Sequence, residues 1–397
     1  MTTILVSTSS RHTPVDQPSG HIIVFDLEKR EVVRSCEIIE PPYRIENPNP
    51  RGGLRGSKGI SVIGNRIAIS NASTIFLYDE KWTPLTYFYH PSCAGVHDIV
   101  LDGETIWVTS ARNDLLCQLD FTGKLLNYYD TRTFADIIKD PKWNPPIFQT
   151  KEQVMAGKID FRDPRTHDEV FADASHTNGL SMMANGDLLL SCGLLKQQSH
   201  QRLLYVKNWL IRMRLWETFE DLNRFFRKNF FKMKNRHSGE LVVQPAKGSS
   251  AIVRVKKDGK VTKVITLPAA TAPSHSVRAL KDGTAIYLKT TSGELFHFNP
   301  ENGEILSVDQ VGEKFLRGAT ELADGTLIFG DNNKLIHYDL RNHKEIFSAI
   351  VSPDNMEAIF DFTVLPSNYS IPPESFLSLH NSLMPVDQLS TIKEKKL

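Results

Sequence analysis

A unit of about 40 residues recurs along this chain, and it constrains the fold more than any other feature. Each copy has a β-rich run, a turn around a glycine and further β-rich runs. The turns lie at Gly64, Gly103, Asn185-Gly186, Asp282-Gly283 and Asp324-Gly325. Asp-Gly and Asn-Gly pairs suit tight hairpins, whose central residues need positive φ. Gly64 and Gly103 are 39 residues apart, and Gly283 and Gly325 are 42 apart. This spacing is typical of a four-stranded propeller blade.

The two ends of the chain supply parts of one further unit. Residues 3–9, 21–26 and 31–38 are predicted strands that lack a first partner, and residues 356–364 form a predicted strand with no clear strand after it. Joining them completes a blade and removes free sheet edges. We therefore predict an all-β fold, a single six-bladed β-propeller over residues 1–366. The other five blades are expected to begin near residues 55, 97, 176, 275 and 317.

Two segments interrupt the repeat, near residues 132–172 and 194–247, and both are interpreted as insertions rather than domain boundaries. Within the second, residues 196–240 are predicted to be a basic amphipathic helical insertion, because apolar residues recur there at intervals of three or four. Residues 367–397 are largely polar and are interpreted as a loosely packed tail with at most one short helix around 374–384.

The charge of the chain is unevenly distributed. The 47 Lys+Arg and 46 Asp+Glu give a formal charge of +1, which provides no global reason to expect nucleic-acid binding. Residues 202–236, however, carry ten basic and three acidic side chains, a local charge of +7. This segment could be a helical flap packed on the propeller, a lid over its channel, or a contact for an anionic membrane surface or an acidic carrier protein. Nucleic acid is disfavoured because no basic surface with interleaved aromatic residues accompanies it.

The remaining composition bears on location and on cysteine chemistry. No apolar run approaches the ~20 residues of a membrane span, and the first seven residues lack the features of a secretory signal. The four cysteines have no CxxC spacing, which favours isolated buried thiols. We expect a cytoplasmic protein, peripheral to a membrane if the basic insertion binds lipid.

Polar residues stand where the predicted innermost strands begin. In a propeller these positions converge on one mouth of the central channel. For any single residue the alternative is structural: a hydrogen-bonded histidine, or an arginine that clamps backbone carbonyls or Asp361. The entrance residues that we single out are Arg55, His97, Asp98, His176, Asn178, His275, Arg278, Arg317, Glu357 and Asp361.

Two chemistries fit this set. Three neutral imidazoles can hold a divalent transition metal (Fe, Zn or Cu) with an open coordination position, supported by Asp98 or Glu357. Alternatively, one histidine is a nucleophile or general base while guanidinium groups hold an anion. The predicted metal ligands are His97, His176 and His275. The predicted catalytic residues are His176, Asn178 and Arg317, and the predicted substrate-binding residues are Arg55 and Arg278, the latter balancing charge.

Several of these motifs resemble those of an uncharacterised bacterial β-propeller family, over about residues 93–330. They are His97-Asp98-Ile99, the stretch from Ser175 to Leu180, the stretch from Pro273 to Arg278, and Arg317-Gly318-Ala319. The resemblance implies a propeller with a site at its channel. More distantly, residues 173–193 are similar to a stretch of the bacterial arylsulfotransferases, which are longer, exported propellers. That similarity implies His176 as a nucleophile that accepts a sulfuryl group, with His97, His275 and an arginine binding the anion.

The sequence thus favours an enzyme whose histidine-rich site at the channel mouth acts on a small anionic substrate with the help of a metal. Arylsulfotransferase-like transfer through a histidine nucleophile is the first alternative. A non-catalytic interaction propeller, which presents loops to a protein partner, is the second. A scaffold should tolerate alanine at His97, His176 and His275, and an active site should not.

Overall fold

The protein is an all-β propeller of six four-stranded antiparallel sheets. The computed structural model describes residues 2–10, 19–37, 56–162, 173–197, 213, 248–270, 272–313 and 315–374. These residues contain 24 strands and three short helical segments. The predicted fold class, with six blades, is confirmed.

The blades follow the chain in order, and blades 2 to 6 each use four consecutive strands. Blade 1 contains β1 (Thr3–Ser10), β2 (His21–Asp26), β3 (Glu31–Glu37) and β24 (Glu357–Leu365). Blade 2 contains β4 (Ile60–Ile63), β5 (Arg66–Ser70), β6 (Ile75–Asp79) and β7 (Pro84–Phe88). Blade 3 contains β8 (Val96–Asp102), β9 (Thr105–Ser110), β10 (Leu115–Asp120) and β11 (Leu125–Asp130).

The second half of the ring repeats this arrangement. Blade 4 contains β12 (Thr177–Met182), β13 (Leu188–Lys196), β14 (Gly248–Val255) and β15 (Val261–Ala270). Blade 5 contains β16 (His275–Ala279), β17 (Ala285–Lys289), β18 (Glu294–Phe298) and β19 (Ile305–Gln310). Blade 6 contains β20 (Leu316–Glu321), β21 (Leu327–Asp331), β22 (Lys334–Asp339) and β23 (Lys344–Ile350).

The ring is closed by pairing the two ends of the chain. The C-terminal strand β24 is the innermost strand of blade 1 and pairs antiparallel with β1, with Leu5 opposite Thr363. Strands β2 and β3 then complete the sheet. The predicted sharing of one blade by both ends is therefore confirmed.

The core lies between neighbouring blades. Leu5 and Val24 of blade 1, for example, belong to one buried cluster with Ile69 and Phe76 of blade 2. Because each sheet is covered on both faces, its middle strands are nearly continuous apolar runs. The outermost strands are more exposed, as at Leu306 in β19.

The first insertion packs on the propeller. It begins with a 3-10 turn at Thr131–Phe134 and contains α1 (Ala135–Ile138) and α2 (Lys151–Met155). Trp143 is buried and donates its indole N–H to the carbonyl of Ala174, 3.0 Å away, just before blade 4. The helical insertion predicted at 196–240 lies outside the described residues except for 196, 197 and 213.

The start of the predicted tail packs on blade 2. Tyr369 is buried, and its hydroxyl donates to the carbonyl of Gly64 at 3.1 Å. The Trp82 indole N–H donates to the carbonyl of Ser370 at 2.6 Å. Residues 375–397 lie outside the described part of the chain. In the part that is described, no helix has the length and apolar character needed to cross a membrane.

Candidate functional site

The inner strands carry an irregularity at the channel mouth, and it decides which side chains face the axis. Five of the six inner strands have a β-bulge near their first residues. A bulge re-aims the side chains beside it. The residue pairs at these bulges are His97 and Asp98, Thr177 and Asn178, His275 and Ser276, Arg317 and Gly318, and Ile359 and Phe360.

Blade 2 has a similar entrance. The Lys58 N–H donates to the Ser70 carbonyl at 2.7 Å, and the Ser70 N–H donates to the Gly59 carbonyl at 3.0 Å. Lys58 therefore stands at the position that His97, His275 and Arg317 occupy in their blades. The prediction missed Lys58 as a site residue, although its place at the start of the repeat was the available signal.

Three imidazoles from three blades meet at this mouth. His97, His176 and His275 each offer a ring nitrogen, and these nitrogens lie within 4.8 Å of one another. The ring centroids of His97 and His176 are 5.0 Å apart, and those of His97 and His275 are 5.3 Å apart. The structure thus brings together the three predicted histidines.

Two of these rings are oriented by partners behind them. The Nδ1 atom of His176 lies 2.8 Å from a carboxylate oxygen of Asp173, whose other oxygen lies 2.9 Å from the ammonium group of Lys196. The Nδ1 atom of His275 lies 2.9 Å from the Thr290 hydroxyl. Such contacts fix the orientation of a ring and leave Nε2 for the site. These roles were predicted for Asp98 and Glu357, which bond Arg278 and His21 instead.

Arg317 lies among the imidazoles. Its Nη2 atom donates to Nε2 of His275 at 2.5 Å and approaches Nδ1 of His97 at 3.3 Å. The guanidinium carbon is 3.8 Å from the centre of the Phe360 ring, and the Lys58 ammonium is 4.9 Å from it. Aromatic faces stabilise cations at such distances. Two cationic side chains therefore stand beside three imidazoles.

The electrostatic environment keeps His97 uncharged. Burial lowers the pKa of His97 well below 6.5, and the positive charges of Lys58 and Arg317 lower it further. A neutral imidazole retains a lone pair that can accept a hydrogen bond, bind a metal or take up a proton.

Next to the histidines, one arginine ties all six blades together. Arg278 of blade 5 donates to Asp98 of blade 3 and to Asp361 of blade 1, both at 2.6 Å. The remaining contacts of this axial hub are with backbone groups. Arg278 donates to the carbonyls of Leu180 and Ala319, in blades 4 and 6, and Asp361 accepts from the Ile60 N–H of blade 2.

The hub is buried, and its two carboxyl groups share one guanidinium. Burial raises the pKa of Asp98 to about 7, although the charge of Arg278 opposes this rise. Burial also raises the pKa of Asp361. Arg278 is thus engaged with two carboxyl groups and with groups of four other blades, an arrangement that suits the charge-balancing role predicted for it.

Asn178 is also engaged within the protein. Its amide nitrogen donates to the Ser274 carbonyl at 2.6 Å, and its amide oxygen accepts from the Ser191 hydroxyl at 2.9 Å. It therefore joins blade 4 to the segment that enters blade 5. Arg55, predicted to bind substrate, lies outside the described residues.

A small cavity of about 10 Å³, close to the space that one water molecule needs, lies between His97, His275 and the hub. The lining includes His97, Asn178, His275, Arg317 and Phe360 together with the hub residues Asp98, Arg278 and Asp361.

Comparisons with known proteins support the fold. No protein family model matches the chain, and no curated protein matches it in sequence. A chain of a nidogen/laminin complex superposes with a TM-score of 0.52 at 11% identity, covering 92% of this chain and 99% of that one. At this identity the likeness concerns the propeller fold alone.

Two further solved structures resemble the chain more loosely. Virginiamycin B lyase from Staphylococcus aureus gives a TM-score of 0.44 at 10% identity, covering 88% of this chain and 86% of its own. A protein of unknown function from Bacteroides caccae gives a TM-score of 0.47 at 9% identity, covering 91% of this chain and 97% of its own.

Proposed function

We propose that this protein is an enzyme that acts on a small anionic substrate at the histidine-rich mouth of its channel. The observation that carries the proposal is the convergence of three imidazoles with Arg317 and Lys58 at one mouth of the channel. Guanidinium and ammonium groups recognise carboxylate, sulfate and phosphate oxygens. Because the cavity has room for about one water molecule, an anionic group can enter only when Arg317 or another lining side chain moves.

Within this proposal His176 is the reactive residue. The Asp173 carboxylate lies beside its Nδ1 atom, which favours the tautomer with the Nδ1 hydrogen and leaves the Nε2 lone pair for chemistry. An imidazole supported in this way is suited to general base or nucleophilic catalysis. Arg317 and Lys58 hold the anionic group of the substrate, and neutral His97 accepts a hydrogen bond. Arg278 and Asn178 maintain the blades around the site.

Group transfer through His176 is the first candidate reaction. The Nε2 lone pair attacks the central atom of a sulfuryl or phosphoryl ester, and the ester oxygen leaves with the bonding electrons. An acceptor hydroxyl then takes the group from His176 as it releases its proton. Arg317 favours this chemistry over metal binding, because it already donates to the imidazole lone pairs that a metal would need.

Metal-dependent chemistry is the second candidate. It is favoured because the three ligand nitrogens lie within 4.8 Å of one another. His97, His176 and His275 would hold a divalent Fe, Zn or Cu ion, which would supply Lewis acidity at an open position. Metal binding requires that Arg317 withdraw from His275.

Aryl ester substrates test the transfer reaction. With 4-nitrophenyl sulfate or 4-nitrophenyl phosphate and a phenol acceptor, we expect release of 4-nitrophenolate that His176→Ala reduces at least ~10²-fold, the lower range for loss of a positioned acid or base. His297→Ala is the matched control, because His297 lies in blade 5 and bonds Thr284 away from the channel. Equal activity of the two variants would contradict the role of His176.

Elemental analysis of protein purified without an affinity tag tests the metal. A stoichiometric transition metal that is lost in His97→Ala and His275→Ala, but kept in His297→Ala, supports metal-dependent catalysis. Metal-free protein that gains no activity from added Fe²⁺, Zn²⁺ or Cu²⁺ excludes that candidate. If all three channel histidines tolerate alanine with full binding of a protein partner, the protein is an interaction scaffold instead.

The basic segment 202–236 adds a partner to this proposal. We propose that it contacts an anionic membrane surface or an acidic carrier protein, in keeping with its charge of +7. Co-sedimentation with liposomes that contain anionic lipid should require residues 196–240. Equal sedimentation of the full chain and of a chain without these residues would contradict membrane contact.

A further inference from the structure

His176 stands one residue before the position that carries a histidine in blades 3 and 5. In blade 4 the bulge pair is Thr177 and Asn178, so Thr177 occupies the place of His97 and His275. Successive side chains of a strand point to opposite sides. In regular extended backbone, a residue at position 176 would therefore point away from the side that His97 and His275 use.

The backbone compensates for this offset. His176 has a φ of 48° and Asp173 a φ of 60°, both in the left-handed region that side chains with a Cβ disfavour. The hydroxyl of Thr177 lies 3.0 Å from that of Thr131, in the first insertion, and 2.9 Å from that of Ser175. The turn at 173–176 thus places the His176 ring beside His97, while the Thr177 side chain stays buried.

One buried carboxylate holds this turn. Asp114 lies between β9 and β10 of blade 3, and its oxygens accept from the backbone N–H groups of Ala174, Ser175 and His176 at 2.7, 2.9 and 3.1 Å. The Ser175 hydroxyl donates to it at 2.8 Å. Arg132 forms a salt bridge at 2.7 Å with the carboxylate oxygen that accepts from Ala174, and both side chains are almost completely buried.

We infer that Asp114 and Arg132 are a positioning pair for His176. Unfavourable backbone conformations persist where the surroundings stabilise them, and they often cluster at functional sites. Here three successive N–H groups bind a single carboxylate, whose charge Arg132 balances. The pair stabilises a conformation that a histidine does not favour by itself, and it thereby brings the third imidazole to the site. This role rests on the proposed function of His176.

A double-mutant cycle measured by thermal unfolding tests the inference. Glycine adopts positive φ without a steric penalty. A chain with His176→Gly therefore depends less on the hydrogen bonds that Asp114 makes with this turn. We expect Asp114→Asn to lower Tm in the otherwise unchanged protein, and to lower it by about half as much or less in the His176→Gly background. In the His275→Gly background, where positive φ is not involved, the loss should stay undiminished.

Equal losses in all three backgrounds would show that Asp114 stabilises blade 4 without regard to His176, and would overturn the inference. If Asp114→Asn fails to fold, Arg132→Lys is used in the same cycle with the same expectation. It keeps the charge but removes the guanidinium group, which binds Asp114 and also donates to the Asn113 carbonyl at 2.8 Å.

A chemical probe tests the imidazole itself. Modification of histidines by diethyl pyrocarbonate, mapped by mass spectrometry, should be several-fold faster at His176 in Asp114→Asn, while exposed His343 stays unchanged. An unaltered rate at His176 in folded protein would contradict the positioning role. Neither measurement depends on activity. If the cycle and the probe give the expected results while His176→Ala keeps full activity, the proposed function fails and the positioning role stands.

Discussion

At the scale of single residues, the hub shows how one side chain can hold the channel together. Arg278 is the shared partner of Asp98 and Asp361, and all three side chains are mostly buried. Buried ionised groups are costly unless they are paired and hydrogen-bonded. Removing the guanidinium would leave two carboxyl groups close together in a site shielded from water, and would also free the carbonyls of Leu180 and Ala319.

We expect Arg278→Met to lower the free energy of unfolding by about 3–5 kcal/mol, the range for breaking a buried ion pair from one side. Arg66→Met is the matched control, because Arg66 pairs with the exposed Glu104. Exposed pairs contribute at most ~1 kcal/mol. Urea denaturation of both variants measures the difference, and similar losses would show that the hub contributes little.

At the scale of elements, blade 1 depends on a contact between the two ends of the chain. The Nδ1 atom of His21 on β2 lies 2.6 Å from a carboxylate oxygen of Glu357 on β24, although β1 separates these strands in the sheet. Glu357 also accepts from the hydroxyls of Ser352, at 2.6 Å, and Thr8. The contact therefore fastens the N-terminal strands to the strand that closes the ring.

This contact makes stability depend on pH. The hydrogen bond with Glu357 raises the pKa of His21 above 6.5 despite its burial. Burial favours a higher pKa of Glu357, but its hydrogen bonds with His21, Ser352 and Thr8 lower the pKa below 4.5. The stabilisation is therefore fully present between pH 4.5 and pH 6.5. It is lost as pH rises through the raised pKa of His21 or falls through the lowered pKa of Glu357.

We expect His21→Gln to lower Tm more at pH 6 than at pH 8.5. His297→Gln should show the opposite trend, because burial lowers the pKa of His297 and the native state is then penalised as pH falls below 6.5. Melting curves at the two pH values provide the measurement. If His21→Gln lowers Tm equally at both pH values, the ion pair of His21 with Glu357 does not fasten the N-terminal strands to β24.

At the scale of the whole molecule, the hub and the shared blade connect units that otherwise contact only their neighbours. Repeat proteins with contacts between neighbours alone tend to lose cooperativity. Here the hub touches a residue of every blade, and the ends of the chain meet in blade 1. These connections favour unfolding of the ring as one unit.

Hydrogen exchange measured by mass spectrometry can test this cooperativity. The slowest amides of β5, β9, β13, β17 and β21 should exchange at similar rates in the unchanged protein, because only global unfolding exposes them. In Arg278→Met we expect these rates to diverge between blades. Divergent rates before any substitution would contradict a cooperative ring.

The repeat made most of the fold predictable. Glycine turns and alternating strands are local signals, and their spacing predicted six blades and the closure by β24. The positions of His97, His176, His275 and Arg317 at blade entrances were also visible. Lys58 and Asp114 were missed as parts of the site. The place of Lys58 at the start of a repeat was an available signal. An aspartate in a short turn between two strands, as Asp114 is, has no local signature, and its role depends on contacts with distant segments.

The sequence by itself thus determined the blade count, the order of strands and the set of polar residues near one mouth, because each of these follows from local periodicity. Only the tertiary structure decided which of them meet. Arg317 reaches His97 across 220 residues of sequence, and Arg278 reaches Asp98 across 180. Bulges and left-handed turns re-aim single side chains, and desolvation depends on what all six blades place around the axis. Those effects have no local pattern along the chain.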